Sequence, residues 1–152
     1  STDIVPYRCE FAEELGADLV LNAHQDDVLA AVHDLSGGRG ADKVIECVGS
    51  DQDETLFQAV ECVKPRGVVT VVGSFAKNRA TLPIVDFKFS EKTVQGSQSM
   101  PEGYEPIFDL ILSGRLNLDA LVSHTLPLEQ AERGLQLMDT KAENVMKVVL
   151  VP

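Results

Sequence analysis

Two short apolar segments, each stopping at a glycine, constrain the fold of this chain more than any other feature. They are Lys43–Gly49 (KVIECVG) and Gly67–Ser74 (GVVTVVGS). Both are rich in β-branched residues, and neither alternates polar with apolar residues as a strand with one wet face would. They therefore predict strands that are covered on both faces, as in a parallel sheet between layers of helices.

The ends of these two strands predict a ligand site. In doubly wound α/β folds, ligands bind beyond the carboxyl ends of the parallel strands. A glycine at such an end lets a flat ligand approach the backbone closely. We therefore expect a nucleotide-type site at Cys47–Ser50 and Val72–Phe75.

The surrounding segments alternate between helix and strand patterns with short connections, which is typical of βαβ units. The fold class predicted is therefore α/β, with a doubly wound, mostly parallel sheet in one compact unit. Helices are predicted from Pro6 to Gly16 and at Asp26–Leu35, Asp51–Val63, Glu105–Ser113 and Leu128–Met138. Further strands are predicted at Asp18–Asn22, Lys92–Ser97, Leu121–Thr125 and Val145–Val151, with a turn at Lys64–Gly67 and a loop at Ala76–Ser90.

Composition excludes several classes of function. The 152 residues carry a net charge of −11, and a surface of this sign repels nucleic-acid phosphates. No apolar run approaches the roughly 20 residues of a membrane helix, and the first residues lack a signal-peptide pattern. We expect a cytoplasmic protein that binds neither nucleic acid nor membrane. The cysteines and histidines lack zinc-ligand spacing, so no metal site is predicted within the chain: Cys9, Cys47, Cys62, His24, His33 and His124.

Several motifs then follow one another in an order that indicates a family. They are EELGADLVLN, GGRGADKVIECVG, KPRGVVTVVGSF, PLEQAERGLQLM and KVVLVP. Over essentially its whole length, the chain resembles the cofactor-binding portion of the medium-chain, zinc-containing alcohol and polyol dehydrogenases. The resemblance implies a Rossmann-like fold with spatial strand order 3-2-1-4-5-6.

The resemblance also implies that some parts of the family's structure lie outside this sequence. The sequence contains no GxGxxG motif that follows a strand and begins a helix, which is the phosphate-binding fingerprint of this fold. Its glycine-rich segment SGGRG precedes a strand instead. The first strand, most of the second and the GroES-like catalytic domain with its zinc ligands are expected to be absent. Residues 1–152 are then a partial NAD-binding domain with a C-terminal extension. Because strand 1 is central in this order, Asp18–Asn22 and Lys43–Gly49 are expected to be separated, with an interior sheet edge left unpaired.

Site residues are implied by the same resemblance. Asp3 matches the acidic residue that binds the adenosine ribose hydroxyls, and a carboxylate there favours NAD over NADP. Arg8 matches a basic position near the adenosine end, and Lys147 matches one near the pyrophosphate. The other positions match backbone that lies along the cofactor or flanks the nicotinamide: Cys47, Val48, Gly49, Val72, Gly73, Ser74, Gly96, Ser97 and Gln98.

The function implied is that of an NAD-dependent, zinc-containing dehydrogenase, which passes hydride between a small alcohol or polyol and the nicotinamide. This chain alone is expected to be inactive, and its expected partners are the N-terminal portion and further copies in a homodimer or homotetramer. Two alternatives stay open: a zinc-free NAD(P)H-dependent reductase of the same superfamily, and a non-catalytic module that binds a nucleotide or mediates assembly.

Overall fold

The computed structural model describes residues 1–49, 53–98 and 103–152. Helices and strands alternate along the chain, in this order: β1 (Thr2–Asp3), α1 (Pro6–Glu14), β2 (Leu21–Asn22), α2 (Val28–Leu35), β3 (Ala41–Glu46), α3 (Asp53–Cys62), β4 (Val63–Val71), α4 (Ile84–Phe89), β5 (Thr93–Gly96), α5 (Tyr104–Leu112), β6 (Val122–Pro127), α6 (Ala131–Thr140) and β7 (Lys147–Val151). Short 3-10 helices at Asp119–Leu121 and Leu128–Gln130 precede β6 and α6.

The chain divides into two compact units where the sequence predicts one. The first unit is Ser1–His24 with Met100–Pro152, and the second is Gln25–Ser99. Each unit has its own cluster of buried apolar residues. The assignment of residues 1–152 as one partial NAD-binding domain stays a prediction.

The sheet of the second unit consists of β3, β4 and β5, all parallel and in that order. Val44, Val69 and Val94 form a row across the three strands. They pack in one apolar cluster with Leu56 and Val60 of α3, and both Val60 and Val69 are fully buried. The predicted α/β fold with parallel strands is therefore confirmed, and its core in this unit lies between the sheet and α3.

The other face of this sheet is more open than the sequence predicts. Ile45 is 67 % exposed and lies in a row with Thr70 and Gln95, whose Nε2 donates to Thr70 Oγ1 at 3.1 Å. Phe87 of α4 joins the same apolar cluster as α3, so both helices cover one face. The expectation that Lys43–Gly49 is covered on both faces is therefore wrong for the face that carries Ile45.

The predicted turn at Lys64–Gly67 lies inside β4. The pairing with β3 is irregular here, because Val63 is opposite Ala41 while Val68 is opposite Lys43. Arg66 takes a positive φ of 61° within this irregular stretch. The four residues predicted as a turn therefore form a bulge in a strand that follows α3 directly.

A six-residue helix, α4, forms within the second half of the predicted loop at Ala76–Ser90, and residues 76–82 stay without regular structure as predicted. Its anchor is Lys92, which is 8 % exposed and donates from Nζ to Val60 O at 2.7 Å and to Asp86 Oδ2 at 2.5 Å. Ser90 Oγ donates to the second oxygen of Asp86 at 2.8 Å. Six residues are too few to show helical periodicity, so tertiary contacts of this kind decide the element.

The first unit contains two parallel strand pairs, β1 with β2 and β6 with β7. The predicted helix at Leu128–Met138 is divided into a 3-10 turn and α6. This helix buries Gly134 and Leu137, whereas Leu135 is 72 % exposed. Gly134 faces side chains of both strands, with Val148 Cγ1 only 3.1 Å from where a Cβ would lie. The absence of a side chain thus brings the helix close to the sheet.

The strand pairs match the neighbours expected from the family's order. Counting β1 as the family's second strand, β1–β2 and β3–β4–β5 reproduce the pairs 2–3 and 4–5–6. In the described part of the chain, β2 and β3 belong to separate sheets, as expected if the central strand is not in this sequence. None of the helices in the described ranges has the length and apolar character needed to cross a membrane.

A first prediction concerns Gly40, just before β3. Its φ is +85°, and an added Cβ would lie 2.9 Å from both Cys62 O and Lys64 N. Gly40→Ala is therefore expected to lower the free energy of unfolding by roughly 3 kcal/mol, from strain and the backbone clash together. Gly37→Ala is the matched control, because φ is +62° there but no described atom lies within 4 Å of the added Cβ. Urea unfolding measures both, and equal losses would contradict the close approach.

A second prediction concerns the buried amine of Lys92. Its hydrogen bond holds the pKa of Asp86 below the ordinary 3.8. The resulting stability is present above that ordinary pKa and is lost as the pH falls through the lowered one. Lys92→Met is expected to lower the free energy of unfolding at pH 7 by about 1–3 kcal/mol, since Val60 O loses its donor.

The acid-dependent part of this loss is tested by repeating the urea unfolding from about pH 5 downward. As the pH falls over this range, the free energy of unfolding of Lys92→Met should decrease less than that of the native chain. The exposed Lys88→Met is the control and should titrate as the native chain does. Parallel pH profiles for the native chain and Lys92→Met would exclude the Asp86 pair as a source of stability.

Candidate functional site

The carboxyl ends of the three strands of the second unit meet at one edge of its sheet. Glu46, Val71 and Gly96 are opposite one another in the register of β3, β4 and β5. The residues that follow them therefore lie side by side. We call this the strand-end edge, and it contains nine of the twelve residues predicted from the sequence: Cys47, Val48, Gly49, Val72, Gly73, Ser74, Gly96, Ser97 and Gln98.

Backbone hydrogen bonds hold the segments of the strand-end edge together. Glu46 O accepts from Val72 N at 2.8 Å and from Gly73 N at 3.0 Å. On the other side of β4, Ser97 N donates to Val71 O at 2.9 Å. The three chain segments are thus fixed to one another just beyond the last residues of the strands.

The strand-end edge leaves its backbone accessible. No described atom lies within 4 Å of where a Cβ would be on Gly49 or on Gly96. Val48 and Val72 are 44 % and 51 % exposed, so the edge also presents apolar surface. This combination suits the flat face of a ring and a sugar–phosphate chain that lies against glycine backbone. Ser50, the last residue of the predicted Cys47–Ser50 segment, lies outside the described residues.

A buried carboxylate lies at the strand-end edge, at the last residue of β3. Glu46 is only 4 % exposed. Its Oε1 accepts from Val48 N at 3.0 Å and from Thr55 Oγ1 of α3 at 2.9 Å. Its Oε2 is buried without a hydrogen-bond partner among the described residues. Sequence reasoning missed Glu46 and Thr55, although the acid in the middle of the KVIECVG segment is a signal that could have found the first.

Cys47 is exposed at the same edge, next to this carboxylate. Partial burial of the thiol raises its pKa, and the neighbouring charge of Glu46 raises it further. Near neutral pH the thiol is therefore protonated. A protonated thiol is a poor nucleophile, so Cys47 fits a contact role better than a reactive one.

Asp3 and Arg8 lie together in the first unit, at the end of β1 and in the first turn of α1. Asp3 Oδ1 accepts from the backbone nitrogens of Ile4 and Val5 at 2.7 Å and 2.9 Å. Its Oδ2 lies 3.9 Å from Nη1 of Arg8. Both residues line a cavity of about 370 Å³ with Phe11. The carboxylate is thus oriented by its own backbone, and its second oxygen can accept from ligand hydroxyls.

Lys147 is placed apart from this pair. It begins β7, is exposed and pairs with Val122 of β6. Its neighbour Met146 lines the cavity that contains Asp3, whereas Lys147 does not. The structure therefore brings Asp3 and Arg8 together but does not add Lys147 to them.

The described residues do not fit a zinc site. Across residues 1–49, 53–98 and 103–152, no three histidine, cysteine, aspartate or glutamate side chains are grouped closely enough to hold a metal ion. No zinc ligand is therefore assigned to this part of the chain.

Comparison with known proteins identifies the family. A family model described as zinc-binding dehydrogenase matches residues 1–113. The chain belongs to this family. An alcohol dehydrogenase of Cupriavidus necator is 31 % identical over 96 % of the chain, and an erythritol/L-threitol dehydrogenase of Mycolicibacterium smegmatis is 30 % identical over 99 %.

Solved structures agree with the family assignment. The alcohol dehydrogenase TADH from Thermus sp. ATN1 superposes on 99 % of this zinc-binding dehydrogenase chain with a TM-score of 0.90 and 35 % identity. The chain spans only 40 % and 41 % of the two curated relatives and 43 % of the Thermus chain. The resemblance to zinc-containing medium-chain dehydrogenases that the motifs indicate is confirmed.

Proposed function

We propose that this chain is the cofactor-binding portion of an NAD-dependent, zinc-containing dehydrogenase that acts on a small alcohol or polyol. The observation that carries the proposal is the strand-end edge, where three parallel strands of a zinc-binding dehydrogenase end side by side against open glycine backbone. This is where α/β sheets of this type bind ligands.

The strand-end edge supplies the part of the site nearest the reaction in this proposal. Gly49 and Gly96 let the cofactor lie against backbone, and exposed Val48 and Val72 cover its apolar surface. When bound, the nicotinamide supplies the chemistry, which is hydride transfer with the alcohol carbon. The residues of this chain bind the cofactor, orient it and keep water from its apolar face.

Asp3 of the first unit supplies the cofactor selectivity in this proposal. Two backbone amides hold Oδ1, so the side chain is oriented before any ligand binds. A carboxylate accepts hydrogen bonds from both ribose hydroxyls and repels a 2′-phosphate. NAD is therefore preferred over NADP, while Arg8 balances the charge of the carboxylate.

The whole protein's substrate is proposed as a small alcohol or polyol, because the relatives carry alcohol, erythritol/L-threitol and sorbitol dehydrogenase names. The zinc ion, the substrate pocket, a homodimeric or homotetrameric assembly and a cytoplasmic location belong to the same proposal.

A third prediction tests the cofactor and its selectivity. In the complete polypeptide that carries this sequence, Asp3→Ser is expected to weaken NAD⁺ binding about tenfold or more, because hydrogen bonds to a charged acceptor are lost. NADP⁺ binding should weaken less or improve, since the repulsion of the 2′-phosphate is removed. Calorimetric titration with both cofactors measures the ratio. Asp18→Ser is the control, as this exposed aspartate lies in the same unit.

Turnover separates the competing functions in the same preparation. NADH formed from NAD⁺ and an alcohol supports the dehydrogenase, and its loss after zinc chelation supports the metal. Turnover that survives chelation with NAD(P)H and an unsaturated substrate would favour a zinc-free reductase. Cofactor binding without any turnover would favour a non-catalytic nucleotide-binding module. If the ratio of NAD⁺ affinity to NADP⁺ affinity is the same in Asp3→Ser as in the native protein, Asp3 does not determine cofactor selectivity.

A fourth prediction concerns the open backbone at Gly49. Gly49→Val should leave the free energy of unfolding within about 0.5 kcal/mol of the native value, because the added atoms meet no described neighbour. It should weaken NAD⁺ binding at least tenfold, because the side chain would fill the space proposed for the cofactor. Gly103→Val, which also has open space around it, should change neither quantity. Unchanged affinity in Gly49→Val would place the cofactor elsewhere.

A further inference from the structure

We propose that Glu46 is the positioning residue of the strand-end edge, and that its buried carboxylate sets the backbone of Cys47–Gly49 in the orientation that receives the cofactor. The inference rests on the proposed function and deepens it. It assigns a role to a residue that touches no proposed ligand and acts through its neighbours.

The contacts of Glu46 join three separate chain segments. Its Oε1 accepts from Val48 N, which belongs to the segment after β3, and from Thr55 Oγ1 in the first turns of α3. Its carbonyl oxygen accepts from Val72 N and Gly73 N after β4. One residue therefore fixes the segment after β3 to a helix and to the next strand end.

The energetics of this arrangement argue against a purely structural role. Glu46 is 4 % exposed, and its Oε2 has no hydrogen-bond partner among the described residues. A buried polar oxygen without a partner loses its hydration and gains no hydrogen bond in return, which destabilises the folded state. Replacing a buried polar group and its partners by apolar groups of the same shape can be nearly neutral or even stabilising. Residues that break such local rules are expected at functional sites.

The Glu46 side chain also fixes the backbone directly before Gly49, where the proposed cofactor would lie. Val48 N is held at 3.0 Å by Oε1, and Gly49 follows directly with open space beside it. Only three covalent bonds separate the Val48 nitrogen from the nitrogen of Gly49, whose backbone the cofactor would contact. Small displacements of positioning groups reduce binding and rate strongly, so loss of this hydrogen bond should be felt at Gly49.

The first arm of the test uses the complete polypeptide without cofactor. Amide hydrogen exchange of Val48 is measured in Glu46→Ala, Glu46→Gln and the exposed control Glu54→Ala. Glu46→Ala should speed the exchange of Val48 N–H about tenfold or more, because its acceptor is removed. Glu46→Gln keeps a side-chain oxygen and should restore most of the protection. Glu54→Ala should not change it.

The second arm measures NAD⁺ affinity in the same variants under conditions where thermal unfolding shows each to be folded. Glu46→Ala should raise the Kd for NAD⁺ about tenfold, and Glu46→Gln should stay within about threefold of the native value. If Glu46 only added stability, replacing it would lower the melting temperature but leave the Kd for NAD⁺ unchanged, because the folded fraction stays near one. Thr55→Val should weaken binding in the same direction, whereas Thr55→Ser, which keeps the hydroxyl, should not.

The outcomes separate this inference from the proposed function. If the native protein and Glu46→Ala bind NAD⁺ equally well, the positioning role of Glu46 is wrong, and the proposed function is unaffected. Native protein that does not bind NAD⁺ overturns the proposed function and this role with it. If Glu46→Ala does not fold, Glu46→Gln and the two Thr55 variants decide between the outcomes by the same measurements.

Discussion

Parallel pairing of β3, β4 and β5 is the interaction on which the rest of the second unit depends. It places Val44, Val69 and Val94 in one row, and α3 buries this row with Leu56 and Val60. The same register brings three strand ends to a common edge. The register of the strands therefore determines both the buried core and the alignment of the strand ends. A shift of one residue would move the valines to the exposed face and would displace the strand ends from one another.

The strand ends could be predicted from the sequence because their physics is local. Continuous β-branched runs favour buried strands, and glycine after such a run marks where backbone must stay accessible. Gly49 and Gly73 follow β3 and β4 within a few residues, as the pattern predicts. The pairing partners follow from the family's topology, which local patterns alone do not contain.

The elements that escaped prediction depend on contacts between distant residues. Lys92 holds α4 through Asp86 and through a carbonyl of α3, and no window of sequence contains all three. The bulge around Arg66 reflects pairing with β3, so its residues have the composition of a turn but lie in a strand. Glu46 was missed because its partners, Thr55 above all, become neighbours only after the helix packs on the sheet.

The direct junction of α3 and β4 has a consequence for how such chains can change in evolution. Cys62 ends the helix, Val63 begins the strand, and Gly40 packs against the backbone on either side. An inserted or deleted residue there has no loop in which to be absorbed, and would rotate the helix face or shift the strand register. Length differences among homologues should therefore accumulate between β4 and α4, where residues 76–82 are free of regular structure.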